Sequence, residues 1–141
     1  MSPADERPKP DTRGAGRPYW LSGRDGVLRL PRCTACGGIF WYPRLHCPGC
    51  GSAAVEWIAT SGKGSVYTFT VVRQSPEPYF AARVPYVVAM VELGDGPRVM
   101  ANVVACEPER VRIGLPVGVV FERLDDETYV PLFRPEPEGR A

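Results

Sequence analysis

Four of the five cysteines, Cys33, Cys36, Cys47 and Cys50, form two Cys-x2-Cys pairs separated by ten residues. Thiolates two residues apart converge on one ion only where a tight turn brings backbone N–H groups round to the sulfurs. Such turns need residues free to adopt positive φ, and glycine follows or interrupts both pairs, in Cys36-Gly37-Gly38 and Cys47-Pro48-Gly49-Cys50-Gly51. Four thiolates complete a tetrahedral Zn²⁺ shell with no open position, so the expected chemistry is structural, with one Zn²⁺ per chain. Such a cluster in a reducing compartment is a metal site far more often than two disulfides. The ten-residue gap is short for a rubredoxin-type iron site, and iron–sulfur clusters use other spacings.

The remaining reactive side chains do not assemble into a catalytic pattern. His46, the only histidine, adjoins Cys47 and would be a fifth ligand, so it reads as an exposed or stacked ring. Cys106 falls on an expected strand beside Val103 and Val104 and reads as a buried structural thiol, with no nearby histidine to activate it. There is no Gly-rich phosphate loop, no GxSxG and no HExxH. Most carboxylates, from Glu92 to Glu127, sit at expected strand ends and turns. The sequence does not argue for an enzyme.

The elements that position the cysteines follow from turn residues. Gly and Pro make up 31 of 141 residues, well above the roughly 12% of an average protein, which disfavours a helical bundle and fits short strands. Val27–Pro31 is expected as a strand leading into the first cysteine pair, Ile39–Tyr42 as a connecting strand, and Ala53–Ala59 as the strand leaving the ribbon. From residue 64 onward, strands are expected at Ser65–Arg73, Pro85–Leu93, Arg98–Cys106, Val117–Arg123 and Tyr129–Phe133. Ser75–Arg83 should be a loop. Alternation places Tyr67, Phe69 and Val71 on one face of the first of these strands. Five antiparallel strands close most economically into a small barrel such as the OB fold.

The expected class is therefore mainly β: a small zinc ribbon, then a five-stranded OB-fold barrel, with a short N-terminal helical or irregular arm. Residues 1–18 read as a flexible arm, 19–60 as the ribbon with an N-terminal anchor segment, 61–134 as the barrel and 135–141 as a flexible tail. No stretch approaches 18 apolar residues, and residues 1–18 lack an apolar signal core. The expected location is cytoplasmic, with no membrane contact. Net charge is only +1, from 17 basic and 16 acidic residues, which lacks the excess of a dedicated nucleic-acid binder.

The run Tyr19-Trp20, Leu28-Arg29-Leu30, Cys33-x2-Cys36-Gly37, Tyr42-Pro43-Arg44, Cys47-Pro48-x-Cys50-Gly51, Trp57, Gly62-x-Gly64-x-Val66-Tyr67-x-Phe69-Thr70, Pro85-Tyr86, Gly114-x-Pro116-Val117 and Pro131-x-Phe133 resembles a known family. That family, long carried as a domain of unknown function, joins a rubredoxin-like zinc ribbon to an OB fold and is associated with acyl-CoA enzymes. The resemblance spans roughly residues 19–134. It implies a non-catalytic accessory subunit of a thiolase-superfamily enzyme: an acyl-CoA thiolase, or a thiolase-like aldolase of lipid or steroid side-chain degradation. It also implies a hetero-oligomer in which the barrel helps shape the acyl-CoA channel.

Several residues suit that role. Arg44 and Lys63 could grip CoA phosphates, and Tyr79 and Phe80 could meet an acyl chain or a partner. Tyr19, Trp20 and Leu21 form an abrupt aromatic-apolar cluster that reads either as a short segment capping the core or as an anchor in a partner's groove, with Trp41 and Tyr42 of the ribbon as a second candidate interface. The alternative is a single-stranded nucleic-acid binder with Tyr67 and Phe69 as its stacking platform. A third is a one-electron carrier with iron in the four-thiolate site.

Overall fold

The computed structural model describes residues 3–137. Two β units share one core. β1 (Arg29–Cys33) and β2 (Val55–Ala59) pair antiparallel, with Leu30 opposite Ile58 and Cys33 opposite Val55. This hairpin is the base of the ribbon, and both cysteine pairs lie in the excursion between its strands.

The barrel follows from β3 (Lys63–Val72), β4 (Tyr86–Leu93), β5 (Arg98–Val103), β6 (Pro116–Asp125) and β7 (Thr128–Pro135). They close in the order β3-β4-β5-β7-β6, and the circuit shuts where β3 also pairs with β6. β5 meets β7 in parallel through Val103 and Phe133. This is the OB arrangement, in which the long first strand serves both halves. Gly64 sits where β3 turns from one partner to the other, and a Cβ there would run into the carbonyl oxygen of Glu92.

Inward positions alternate as a half-buried strand requires. Val87, Ala89, Val91 and Leu93 of β4 and Val99 and Val103 of β5 are buried, with Val66, Val117 and Phe133 opposite them. Leu28 and Leu30 from the ribbon side belong to the same cluster, so ribbon base and barrel are packed as one body. A bulge between Val66 and Thr68 breaks the expected face. Val66 points inward, Phe69 and Val71 pack on the core, and Tyr67 turns out to solvent, where the Arg98 guanidinium stacks 3.6 Å from its ring centre.

Further sequence expectations are corrected. Ile39–Tyr42 is not a strand; only Ile39 bridges, to Arg32, because the knuckles take up the local backbone hydrogen bonds. The loop at Ser75–Arg83 contains a short helix, α2 (Pro78–Ala81), started by Pro78 and capped by the Glu77 carboxylate accepting from the Tyr79 N–H. The segment read as a free arm lies along the barrel from Pro3 onward and ends in helix α1 (Arg17–Leu21). Its cations pair with carboxylates of β6 and the β6–β7 turn: Arg7 with Glu122, Lys9 with Asp125 and Arg17 with Glu127. Pro135 extends β7, and the Glu136 N–H donates to the Pro116 carbonyl, so the first residues of the expected tail are also placed. Residues 1–2 and 138–141 of the expected arm and tail lie outside the described residues.

Candidate functional site

The two cysteine turns are near copies. The Gly37 N–H donates to the Cys33 carbonyl and the Gly51 N–H to the Cys47 carbonyl, both at 2.8 Å. The Cys33 N–H then bonds Gly38, and the Cys47 N–H bonds Ser52. Gly37 and Gly51 both have φ of 79°, a backbone region that side-chain-bearing residues enter at a cost. This repeated turn explains the glycines after each pair.

The result is a compact sulfur cage. Cys33 Sγ lies 3.6 Å from Cys50 Sγ and Cys36 Sγ 3.7 Å from Cys47 Sγ, and all four sulfurs lie within 4.8 Å of one another. Tetrahedral Zn–S bonds of about 2.3 Å require S···S separations of about 3.8 Å, so the cage fits a tetrathiolate-bound metal. The N–H of Cys36, together with further turn donors, brings the Cys33 thiol down to about 7. Cys47 is lowered by the N–H groups of Cys50 and Gly49. For Cys50 the Ser52 N–H lowers, yet the neighbouring thiols and burial prevail and push it up to about 11. Turn dipoles thus favour the first thiolates, and crowding resists the last until a cation joins them. A metal ion bound there would supply charge neutralisation and a cross-link between the knuckles. His46 is exposed, and the four thiols need no fifth ligand.

Next to the cage lies an aromatic junction. Tyr19 of α1 stacks on Trp41 with ring centres 4.0 Å apart, and Trp20 meets Tyr19 edge-on at 5.0 Å. Tyr19 is 3% exposed and belongs to the chain's own core, which agrees with the core-capping reading of this cluster and not with Tyr19 as an anchor presented to a partner. Trp20 and Leu21 are half-buried, because α1 packs between ribbon and barrel. Tyr42 (53% exposed) and Leu45 (72%) stand free on the ribbon loop around Arg44. Leu45 was missed in the sequence; its only signal was an apolar residue between two cysteine turns.

Tyr79 is also buried, whereas Phe80 borders two adjoining cavities of about 260 and 210 Å³. Arg7 lines both and was not singled out from the sequence, where it is one arginine in a polar arm. Arg44 and Lys63 are exposed and line neither cavity, so the structure does not gather the four expected CoA-contact residues into one site. Cys106 is half-buried against the core, and burial pushes its thiol up.

Comparison with known proteins agrees with this architecture. Residues 20–56 match the ChsH2 rubredoxin-like zinc ribbon domain, and residues 57–122 match the ChsH2 C-terminal OB-fold domain. The chain belongs to the ChsH2, or DUF35, family. A DUF35 domain-containing scaffold protein of Methanocaldococcus jannaschii is 40% identical over 74% of this chain and 78% of its own length. A Thermomonospora curvata protein named "Probable enoyl-CoA hydratase alpha subunit" is 35% identical over 96% of this chain. This chain spans only 42% of that relative's length. Among solved structures, the one titled "Ltp2-ChsH2(DUF35) aldolase" superimposes with a TM-score of 0.80 at 34% identity, covering 90% of this chain and 98% of the matched chain. A DUF35 protein from Sulfolobus solfataricus, at 14% identity and a TM-score of 0.61, shares the fold. No helix among the described residues is long and apolar enough to cross a membrane.

Proposed function

We propose that this ChsH2-family chain is a non-catalytic accessory subunit that binds a thiolase-superfamily enzyme acting on acyl-CoA and helps shape its acyl-CoA channel. The observation that carries the reading is the match, over nearly the whole of both chains, to the ChsH2(DUF35) component of an aldolase complex. The scaffold-protein name of the archaeal relative points the same way. Cys33, Cys36, Cys47 and Cys50 hold one structural Zn²⁺, and the ribbon loop with Trp41, Tyr42 and Arg44 is a face offered to the partner. Trp20, Leu21 and Phe80 remain partly open and extend that candidate surface. Arg44 and Lys63 keep their candidate role as contacts for CoA phosphates.

Chemistry within the chain is unsupported. Cys106 shares a cavity with Arg110, Arg112 and Glu136, but no histidine lines it. The nucleic-acid reading is weakened by the fold itself. Of the two rings of its stacking platform, Phe69 packs against the core and Tyr67 already carries the Arg98 guanidinium on its face.

The test is turnover by the separate and combined components. The isolated chain should hydrolyse or cleave no acyl-CoA ester. Adding it to the thiolase-like enzyme should raise or enable that enzyme's activity, and Cys106→Ala should leave the effect within a few-fold. Turnover by the isolated chain, lost on Cys106→Ala, would overturn the reading.

A further inference from the structure

OB folds bind their ligands on the face of the second and third strands, between the loop joining strands one and two and the loop joining strands four and five. In this chain that cleft lies over β4 and β5, between α2 and the β6–β7 hairpin. It is occupied by the chain's own N-terminal segment. The Arg7 guanidinium reaches into it and donates to Glu122 Oε1 at 3.1 Å and to Asn102 Oδ1 at 3.2 Å. Its carbon lies 5.3 Å from the Phe80 ring centre and 5.7 Å from that of Tyr79. A carboxylate, an amide oxygen and two aromatic rings around one guanidinium form a built recognition site for arginine.

The occupant lies at the surface and fills the cleft incompletely. No residue from 3 to 16 is fully buried. Beyond the Arg7 site, its attachments include the exposed pair Lys9–Asp125, Arg83 Nη1 donating to the Ala4 carbonyl, packing of Pro3–Asp5 against α2, and Arg17–Glu127 at the start of α1. Exposed pairs of this kind add little stability and fade with salt. On either side of Arg7 the two cavities remain, walled by Tyr86, Val88, Met100, Val104, Leu132 and Pro131.

We infer that residues 3–13 are a displaceable strap, and that the cleft beneath them docks an extended, arginine-bearing segment of a protein partner. The strap shows the chemistry that fits: an arginine between Glu6 and Pro8, followed by Lys9 and Pro10, laid along a wall that carries Glu122 and Asp125. A partner segment presenting an arginine and apolar neighbours would take the same Glu122 and Asn102 contacts and fill the cavities the strap leaves open. The inference rests on the accessory-subunit reading only for which protein supplies that segment.

The first test needs no partner. A fluorescent peptide of residues 3–13 is titrated against the full-length Arg7→Ala chain, whose own strap has lost its anchor. Binding should be at least tenfold tighter than to the wild-type chain, where the strap competes, and should be lost when Glu122→Ala is added or when the peptide carries Arg7→Ala. Arg7→Lys, which keeps the charge without the planar guanidinium, serves as a second host and should bind the peptide at an intermediate level. Absence of binding to both hosts, or equal binding to the wild-type chain, overturns the inference. The second test uses the assembled complex: hydrogen exchange in residues 3–13 should accelerate when the partner docks. A complex that forms with the strap unchanged or more protected overturns the docking site while leaving the accessory role standing. Failure to form any complex with a thiolase-like enzyme counts against the accessory role instead.

Discussion

Tyr19 and Trp41 stack with ring centres 4.0 Å apart and planes tilted by 34°, and this contact ties the N-terminal helix to the zinc-ribbon loop. Tyr19 also packs in the cluster formed by Leu28, Leu30 and the inward residues of the barrel. Three pieces of chain distant in sequence therefore meet at one ring. Tyr19→Ala should cost about 3–5 kcal/mol, the usual range for truncating a buried aromatic. Urea unfolding measures it, and a double-mutant cycle with Trp41→Ala should show coupling of at least about 0.5 kcal/mol. Additive single effects would mean that the rings are neighbours without energetic linkage.

Burial pushes the Tyr19 hydroxyl well above its ordinary value of 10.0. The unfolded chain ionises near pH 10 while the folded one does not. Stability from this group is thus fully present below about pH 10 and falls as pH rises beyond it. Tyr19→Phe should flatten that alkaline loss in a series of thermal midpoints. A slope unchanged by the substitution would assign the loss to other groups.

Metal removal should act first on the ribbon. The stretch of knuckles and turns from Cys33 to Val55 holds only Cys33, Phe40 and Cys47 as buried apolar residues in its own cluster, too few to fold unaided. One equivalent of zinc per chain is expected by elemental analysis. Cys33→Ser should lose the metal and the dispersion of the ribbon's NMR signals while barrel signals persist. Iron in place of zinc, or less than half an equivalent of zinc, would contradict the assignment.

Gly64→Ala should destabilise the barrel by about 1–3 kcal/mol, the range for forced overpacking. A Cβ at this position meets the backbone of Glu92 and Leu93, which cannot rotate aside as a side chain could. Thermal unfolding checks the effect. An unchanged midpoint would show that β3 shifts without penalty.

Asp125 is held down at about 2, chiefly by the Glu127 N–H and then by Lys9. Its stabilising contribution is present above the ordinary value of 3.8 and is lost as pH falls through about 2. A carboxyl ¹³C titration should place the midpoint well below 3.8, and Lys9→Ala should move it upward. A titration unmoved by Lys9→Ala would separate the strap from this turn.

Much of the architecture was legible because it rests on local signals. The cysteine spacing and its glycines encode the cage, and alternation with turn residues encodes five barrel strands near their observed bounds. Three features were hidden, and all depend on contacts distant in sequence. Tyr19 is open between the core and a partner until Leu28, Leu30 and Trp41 are seen around it. Tyr67 changes face because of a single bulge. Arg7 is one charge in a polar arm until the fold brings Glu122 and Asn102 beside it, 115 and 95 residues away.

The most direct measurement of the central claim is the mass of the assembly formed when the tagged full chain is co-expressed with a thiolase-like acyl-CoA enzyme. Light scattering on the eluted peak should report a hetero-oligomer holding both chains in a fixed ratio, with zinc retained. Elution of this chain by itself, near its own 15.5 kDa and with no enzyme bound, would contradict the accessory-subunit assignment.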